Sequence, residues 1–321
     1  MKASIDKYIK AFKKLRIDRS HGVAPHKPIL LLSVLQSVQN DLIKTNCVYI
    51  TPELVALFKS NWSLLVTTNH DCRISYPFYY LKSENFWRLV PKFGFENLNQ
   101  IGSIMKSFHN LNAAVECAVL DEELFRIMQD KTSNDILIRY LLEEYFPNTK
   151  DLFSESWSGK QKIFENIENK IVRENSVLYK NETMQLILKK SEEEIYLRSS
   201  IFKREVPKIY NYTCCISSMK VDSIGTISMI DACHIVPFSE SFDDTISNGI
   251  SLCPNLHRAF DRGLISIDEN YRVLVNSNWS ELKSSYSIRQ FEGKQIQLPN
   301  RIDQYPSLQN FQLHRERFKF R

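Results

Sequence analysis

No apolar run in this 321-residue chain approaches the ~20 residues that a membrane-spanning helix needs. The opening, MKASIDKYIKAFKKL, has no signal-peptide core, so a cytoplasmic location is expected. The seven cysteines are odd in number and widely scattered, which fits a reducing compartment better than a disulfide framework. There is no internal repeat and no low-complexity tract. Nor is one sign of charge in large excess: 42 Lys and Arg against 37 Asp and Glu leave a net +5. That permits nucleic-acid binding through local patches without demanding it. What is present is ordinary for a globular chain, 43% hydrophobic and 25% charged, with a length comfortable for two domains.

The most informative stretch runs from Asp231 to Asp261, DACHIVPFSESFDDTISNGISLCPNLHRAFD. DACHIV alternates faces as a short strand does, and Pro237 closes it. SESFDDTISNG is a loop rich in Ser, Asp, Asn and Gly. SLCPNLHRAFDRG reads as a helix starting near Pro254 or Asn255 and stopped by Gly263. His257 and Asp261, one turn apart, share a helix face, where an imidazole and a carboxylate can hold one side of a divalent ion. The same pair also makes an ordinary surface contact on a helix. His234, from a different element, can stand opposite as an acid/base group facing a metal, which suits phosphodiester hydrolysis.

The intervals are 14 from His234 to Asn248, 9 on to His257 and 4 on to Asp261. At these intervals, and in the phrases ACHIVP and NGISLCPNLHRAFDRGLI, residues 198–280 resemble the HNH (ββα-metal) endonuclease family, in the form found in bacterial restriction enzymes. The resemblance implies that His234 is the general base that activates water and that Asn248 bridges the loop and holds His234 in orientation. It makes His257 and Asp261 the ligands of one divalent ion, Mg²⁺ or Mn²⁺, with Ni²⁺ or Co²⁺ as substitutes in vitro. It also implies 5′-phosphate and 3′-hydroxyl products. Many relatives place a metal ligand directly before the base. Here that residue is Cys233, a soft thiol poorly matched to Mg²⁺, and Asp231, three residues before His234, is the substitute. Relatives also often carry zinc-binding cysteine pairs around this unit. Cys215 is followed at that spacing by Ser218, and Cys253 has no partner pair, so no structural zinc is expected and Cys214 and Cys215 read as small buried hydrophobes.

Near the N-terminus, SIDKYIKAFKKLRID has apolar residues at helical spacing. In HGVAPHKPILLLSVLQSVQ, Pro28 fits the first helical position, and Leu31, Val34, Leu35 and Val38 make a buried stripe. His26 and Lys27 then sit at the mouth of a helix, where an anion is favoured; equally, both can face solvent beside a core helix. DCRISYPFYYLKSENFWRLVP joins Arg73 to a dense aromatic run whose latter half alternates like paired strands around KSEN. Phe78, Leu81, Trp87 and Leu89 are core candidates, while Tyr76, Pro77 and Tyr80 can present an apolar rim to a ligand.

APHKPILLLSVL followed by YPFYYL and FWRL resembles the sulfur-binding domain of bacterial type IV restriction enzymes that recognise phosphorothioate-modified DNA. In that family the domain precedes an HNH nuclease, the order found here. The resemblance spans roughly residues 5–150 and implies a sulfur socket lined by Tyr76, Pro77 and Tyr80, with His26, Lys27 and Arg73 on the phosphates. An apolar socket loses little by desolvating sulfur, whereas oxygen forfeits hydrogen bonds to water. Asn99 and Gln100 carry the amides that read adenine edges, or serve only turn chemistry.

AAVECAVLDEELFRIMQDKTSNDILIRYLLEEYFP reads as two helices around DKTSN, and RGLISIDENYRVLVN as two short strands turned at DEN. Arg258 and Arg262 flank the metal helix as phosphate clamps, and SLQNFQLHRERFKF is a basic helix or tail. The expected fold is α+β. A mostly helical DNA-reading domain with a small sheet (1–150) precedes a partly helical linker (151–197) and a ββα-metal nuclease domain (198–321). The expected activity is modification-dependent cleavage of double-stranded DNA. One HNH site cuts one strand, so a double-strand break needs a homodimer or two visits. The alternatives are an HNH nuclease directed by a methylated base or by no mark, and a DNA-binding protein whose site is inactive because a cysteine precedes His234.

Overall fold

The computed structural model describes residues 2–19, 22–95, 107–155, 162–173, 176–188, 191–221, 228–282 and 284–320. Asn99 and Gln100 lie outside these residues. The chain divides into two compact units, Met1–Glu165 and Asn166–Arg321.

In the first unit the helices are α1 (Lys2–Lys13), α2 (His26–Gln39), α3 (Pro52–Leu65), α4 (Ser75–Tyr80), α5 (Phe108–Ala114), α6 (Glu122–Gln129), α7 (Lys131–Tyr145) and α8 (Lys150–Glu155). The strands are β1 (Cys47–Val48), β2 (Trp87–Pro91) and β3 (Val115–Leu120). Helix α2 is the axis of this unit. Its run from Ile29 to Leu35 is fully buried, as befits a helix apolar on every side rather than along one stripe, and α3, α4, α6 and α7 pack round it. Its polar residues hydrogen-bond inside the core through part of their groups: Ser33 Oγ donates to the Ile29 carbonyl, and Asn61 of α3 donates to Gln36 at 2.7 Å and to Ser33 at 3.0 Å. Such pairing is what makes burial of polar groups tolerable.

Two expectations are corrected in this unit. SYPFYY is helical rather than half of a strand pair. Pro77 falls in the first turn of α4, where its missing N–H costs nothing, and Trp87 Nε1 donates to the Phe78 carbonyl at 3.0 Å. The segment VECAVL is strand, not helix: β3 is the centre of an antiparallel sheet in the order β1-β3-β2, with Trp87 opposite Leu120. Its pairing partners lie far away in sequence, and tertiary pairing overrides local helical spacing.

The second unit contains all but the first turn of α9 (Lys162–Arg173), then α10 (Ser176–Leu188), α11 (Glu192–Ile209), β4 (Asp231–His234), α12 (Phe238–Ser241), β5 (Gly249–Leu252), α13 (Pro254–Asp261), β6 (Ile265–Ile267), β7 (Val273–Val275) and α14 (Leu308–Arg317). Residues 166–197, expected within the linker, belong to this unit. Buried Arg198 of α11 reaches α10, donating to Glu182 (3.1 Å) and Thr183 (3.2 Å) and lying over the Tyr179 ring. Helix α11 packs in turn on β4 and β5. These two strands are antiparallel, Asp231 opposite Leu252 and His234 opposite Gly249. The expected hairpin after Gly263 is present as β6 and β7, Ile265 opposite Val275. Gly263 adopts φ +65° and ends α13: its N–H donates to the Phe260 carbonyl and the next N–H to that of Ala259, both at 2.9 Å. Helix α14 buries Phe311 and His314.

Candidate functional site

Strand β4 sets the geometry. Its alternation sends Asp231 and Cys233 towards α13 and His234 to the opposite face, against α11. On α13 the i,i+4 spacing brings His257 Nε2 within 3.4 Å of Asp261 Oδ2. Cys233 Sγ lies 3.8 Å from Asp261 Oδ1. One donor atom each from Cys233, His257 and Asp261 lies within 4.8 Å of the others. Burial above all, and then the Asp261 carboxylate, push the Cys233 thiol well up, so without a cation it is protonated and donates to Asp261. Asp231, expected as the third ligand, instead sits 3.4 Å from Nδ1 of His257, outside the three-donor group. A carboxylate on the far nitrogen of a ligating imidazole fixes ring orientation and basicity.

Asn248, fully buried, ties the loop together. Its Oδ1 accepts the Val236 N–H at 2.9 Å, and its Nδ2 donates to the carbonyls of Val236 (2.9 Å) and Asp243 (3.0 Å). Asn310 of α14 donates to the same Oδ1 at 3.1 Å. Because Val236 is two residues past His234, this clamp fixes the chain that carries the imidazole.

The His234 ring stacks on Phe202 of α11, centroids 3.9 Å apart and 10° from parallel, and its Nε2 lies 2.8 Å from Asp244 Oδ1. Neither neighbour is among the residues expected from the sequence. Asp244 is half of a Asp-Asp pair inside a segment read only as polar loop, and Phe202 lies just past a segment read as linker. Helix α11 comes so close that a Cβ on Gly249 would meet Val206 Cγ2 at 2.6 Å. Arg258 and Arg262 are exposed at α13, whereas Arg204 and Lys208 are occupied by Glu205 and Glu168. Cys253, read as having no cysteine pair with which to hold a zinc, lies against the single thiol of Cys214, and Ser217 touches both, its N–H on Cys214 Sγ at 3.4 Å and its Oγ 3.9 Å from Cys253 Sγ.

In the first unit a cavity of about 570 Å³ is lined by His26, Lys27, His70, Tyr76, Pro77 and Tyr80, among others. Five residues singled out in the sequence thus meet in one place, because the start of α2 and one face of α4, that of Tyr76, Pro77 and Tyr80, turn towards it. The charges there differ from expectation. His26 Nε2–H donates to the Asp71 carbonyl at 2.9 Å and the ring packs 4.7 Å from Trp62. Desolvation lowers its pKa, so the imidazole is neutral at pH 7. Lys27 is turned inward, its Nζ 2.6 Å from Glu84 and 2.8 Å from Ser83 Oγ, with only 7% of the side chain exposed. Arg73 stays half exposed, 5.7 Å over the Tyr76 ring and 3.5 Å from Asp71.

An antiparallel strand pair and a helix, with His, Asn and His at these positions, define a ββα-metal nuclease unit. Residues 214–268 match the HNH endonuclease family, so the second unit carries an HNH nuclease domain. Among solved structures, a modification-dependent TagI restriction endonuclease is similar at 21% identity over 36% of this chain, with TM-score 0.27. The match spans 36% of that enzyme, about a third of its length. No curated protein matches the chain. No helix among the described residues is long and apolar enough to cross a membrane.

Proposed function

We propose that the chain is a type IV restriction endonuclease that hydrolyses double-stranded DNA carrying phosphorothioate linkages. The observation that carries the nuclease reading is the grouping of Cys233, His257 and Asp261 on one ββα unit whose first strand also carries His234, on its other face, and whose loop is tied by Asn248. His234 takes a proton from water, whose oxygen attacks phosphorus in line with the departing 3′ oxygen. Asn248 holds the His234 segment, and Arg258 and Arg262 are exposed where a phosphate backbone can reach them. His257 and Asp261 are the ligands of a divalent ion, with Cys233 as third donor and Asp231 orienting His257. One imidazole and one carboxylate, with a thiol that would bind as its thiolate, fit a divalent ion such as Co²⁺ or Ni²⁺ better than Mg²⁺. When bound, the ion supplies Lewis-acid stabilisation of the charged transition state and of the leaving oxygen.

The phosphorothioate reading rests on the cavity of the first unit. Its His26 is neutral, its Lys27 is paired with Glu84, and Tyr76, Pro77 and Tyr80 form an apolar part of the lining beside Arg16, Asp18 and His70. Such a wall suits a poorly hydrated sulfur more than a phosphate oxygen, which needs hydrogen bonds in return for lost water. A cavity of this size also admits a flipped methylated base, which is the second reading. Gel shifts with phosphorothioate, methylated and plain duplexes separate the two. The phosphorothioate duplex is expected to bind at least ~10-fold tighter than plain DNA, worth about 1.4 kcal/mol, with Tyr80→Ala erasing the preference. Equal binding of all three, or preference for the methylated duplex, would refute the reading. For the nuclease, His234→Ala is expected to abolish nicking of modified plasmid in Mg²⁺ and in Mn²⁺ while leaving DNA binding intact.

A further inference from the structure

We propose that Asp244 is the positioning residue of the nuclease site: its carboxylate takes the Nε2–H of His234 and leaves Nδ1 as the open acceptor for the proton of water. This rests on His234 being the base, but it is a statement about the tautomer and can be tested on its own.

Asp244 is fully buried, and Oδ1 sits 2.8 Å from Nε2. Among the described residues the imidazole is its hydrogen-bond partner. Its Oδ2 is buried with none, and the nearby lysine, Lys180, reaches the neighbouring Asp243 instead (3.5 Å). A buried carboxylate with half its acceptors empty is costly, and a native fold that keeps one invites an account of what it does. The loop around it is firm. Asp243 Oδ1 accepts from the N–H and Oγ1 of Thr245 at 2.9 and 2.7 Å, and the Asp243 carbonyl is held by Asn248. Tyr179 of α10 closes the other side: burial first, then the carboxylates of Asp244 and Asp243, push its hydroxyl up.

These contacts settle the two freedoms an imidazole has. The flat stack on Phe202 fixes the ring plane. The carboxylate then fixes the proton, because a carboxylate only accepts and the nitrogen facing it must donate. In a neutral ring the lone pair is therefore on Nδ1. In the reaction the water proton passes to Nδ1, the new O–P bond forms, the P–O3′ bond breaks, and the 3′ oxygen takes a proton from solvent. Asp244 stays an acceptor throughout and stabilises the imidazolium that forms.

The test uses the full chain labelled with ¹⁵N-histidine, reading ring tautomers from two-bond ¹⁵N–¹H correlations, with the His234 signals identified by their loss in His234→Gln. Wild type is expected to show the proton on Nε2. In Asp244→Asn the side-chain amide can turn its NH₂ towards the ring, moving the proton to Nδ1. The kcat for nicking modified plasmid should then fall ~10²–10⁴-fold with KM and metal-free DNA affinity unchanged. A wild-type ring protonated on Nδ1 would overturn the proposal, as would an Asp244→Asn variant that nicks at the wild-type rate. If Asp244→Asn fails to fold, the wild-type tautomer alone decides. If wild type does not nick, the nuclease reading fails while the spectrum still decides the role of Asp244.

Discussion

Replacing Asn248 with alanine tests the clamp on which the site depends. The substitution removes the acceptor of the Val236 N–H and of the Asn310 amide, and the donor to the carbonyls of Val236 and Asp243. The position is fully buried, so water cannot replace the lost partners without opening the loop. An unsatisfied buried polar group costs about 1–3 kcal/mol; the Val236 carbonyl keeps Ser241 Oγ, and with the Val236 N–H and the Asp243 carbonyl of the loop left unpaired the expected loss is about 2–6 kcal/mol. The molecule can avoid part of that by releasing residues 235–244 to solvent. Two measurements follow both routes: urea unfolding of the second unit, and amide hydrogen exchange of the peptide spanning Val236. The expected outcome is a stability loss in that range, or else exchange at Val236 faster by more than ~100-fold, with nicking lost in either case. An Asn248→Ala protein within about 1 kcal/mol of wild type, with Val236 still protected, would show that the amide does not hold the loop and that the argument from its hydrogen bonds is mistaken.

Other outcomes follow from buried titratable groups. His314 donates from Nε2 to the Phe260 carbonyl (3.1 Å) and lies 2.9 Å from Ser266 Oγ. Burial, more than any neighbour, lowers its pKa from 6.5 to about 4. Because the folded value is the lower one, the unfolded chain takes the proton first. Stability from this residue is complete above pH 6.5, erodes as the pH falls towards 4 and is gone below it. At about 1.4 kcal/mol per pH unit the total is about 3 kcal/mol. His314→Gln, which cannot titrate, should therefore narrow its stability gap to wild type by about that amount between pH 7 and pH 4 in urea melts; a constant gap would refute the assignment. In the first unit, Lys27→Met removes the counter-charge of Glu84, whose side chain is only 10% exposed and keeps, among the described residues, just the Arg16 N–H and Ser83 Oγ as donors. A loss of about 3–5 kcal/mol is expected, with Lys27→Met plus Glu84→Gln recovering most of it by thermal melt.

The sequence by itself determined what local rules control. Period-two alternation, Pro254 at a helix start, Gly263 past its end and the four-residue step from His257 to Asp261 are properties of short segments; the strand, loop and helix were legible from them, and the part of Asn248 from the resemblance of the intervals to a known family. The aromatic run around Pro77 was legible as a candidate apolar rim from its residue types, but the helix that brings Tyr76, Pro77 and Tyr80 to one cavity was not, because the run read as strand. Tertiary structure alone decided what depends on distant partners. The strand β3 reads as helix until β1 and β2 lie beside it. The segment 166–197 reads as linker until Arg198 is seen buried against α10 and Phe202 laid flat on His234. Lys27 meets Glu84 across 57 positions, and Cys233 meets Asp261 across 28. Alternation and helical spacing say which face a side chain occupies; what stands opposite that face, and whether a charge there is free or already answered, depends on the packing of elements that no local pattern encodes.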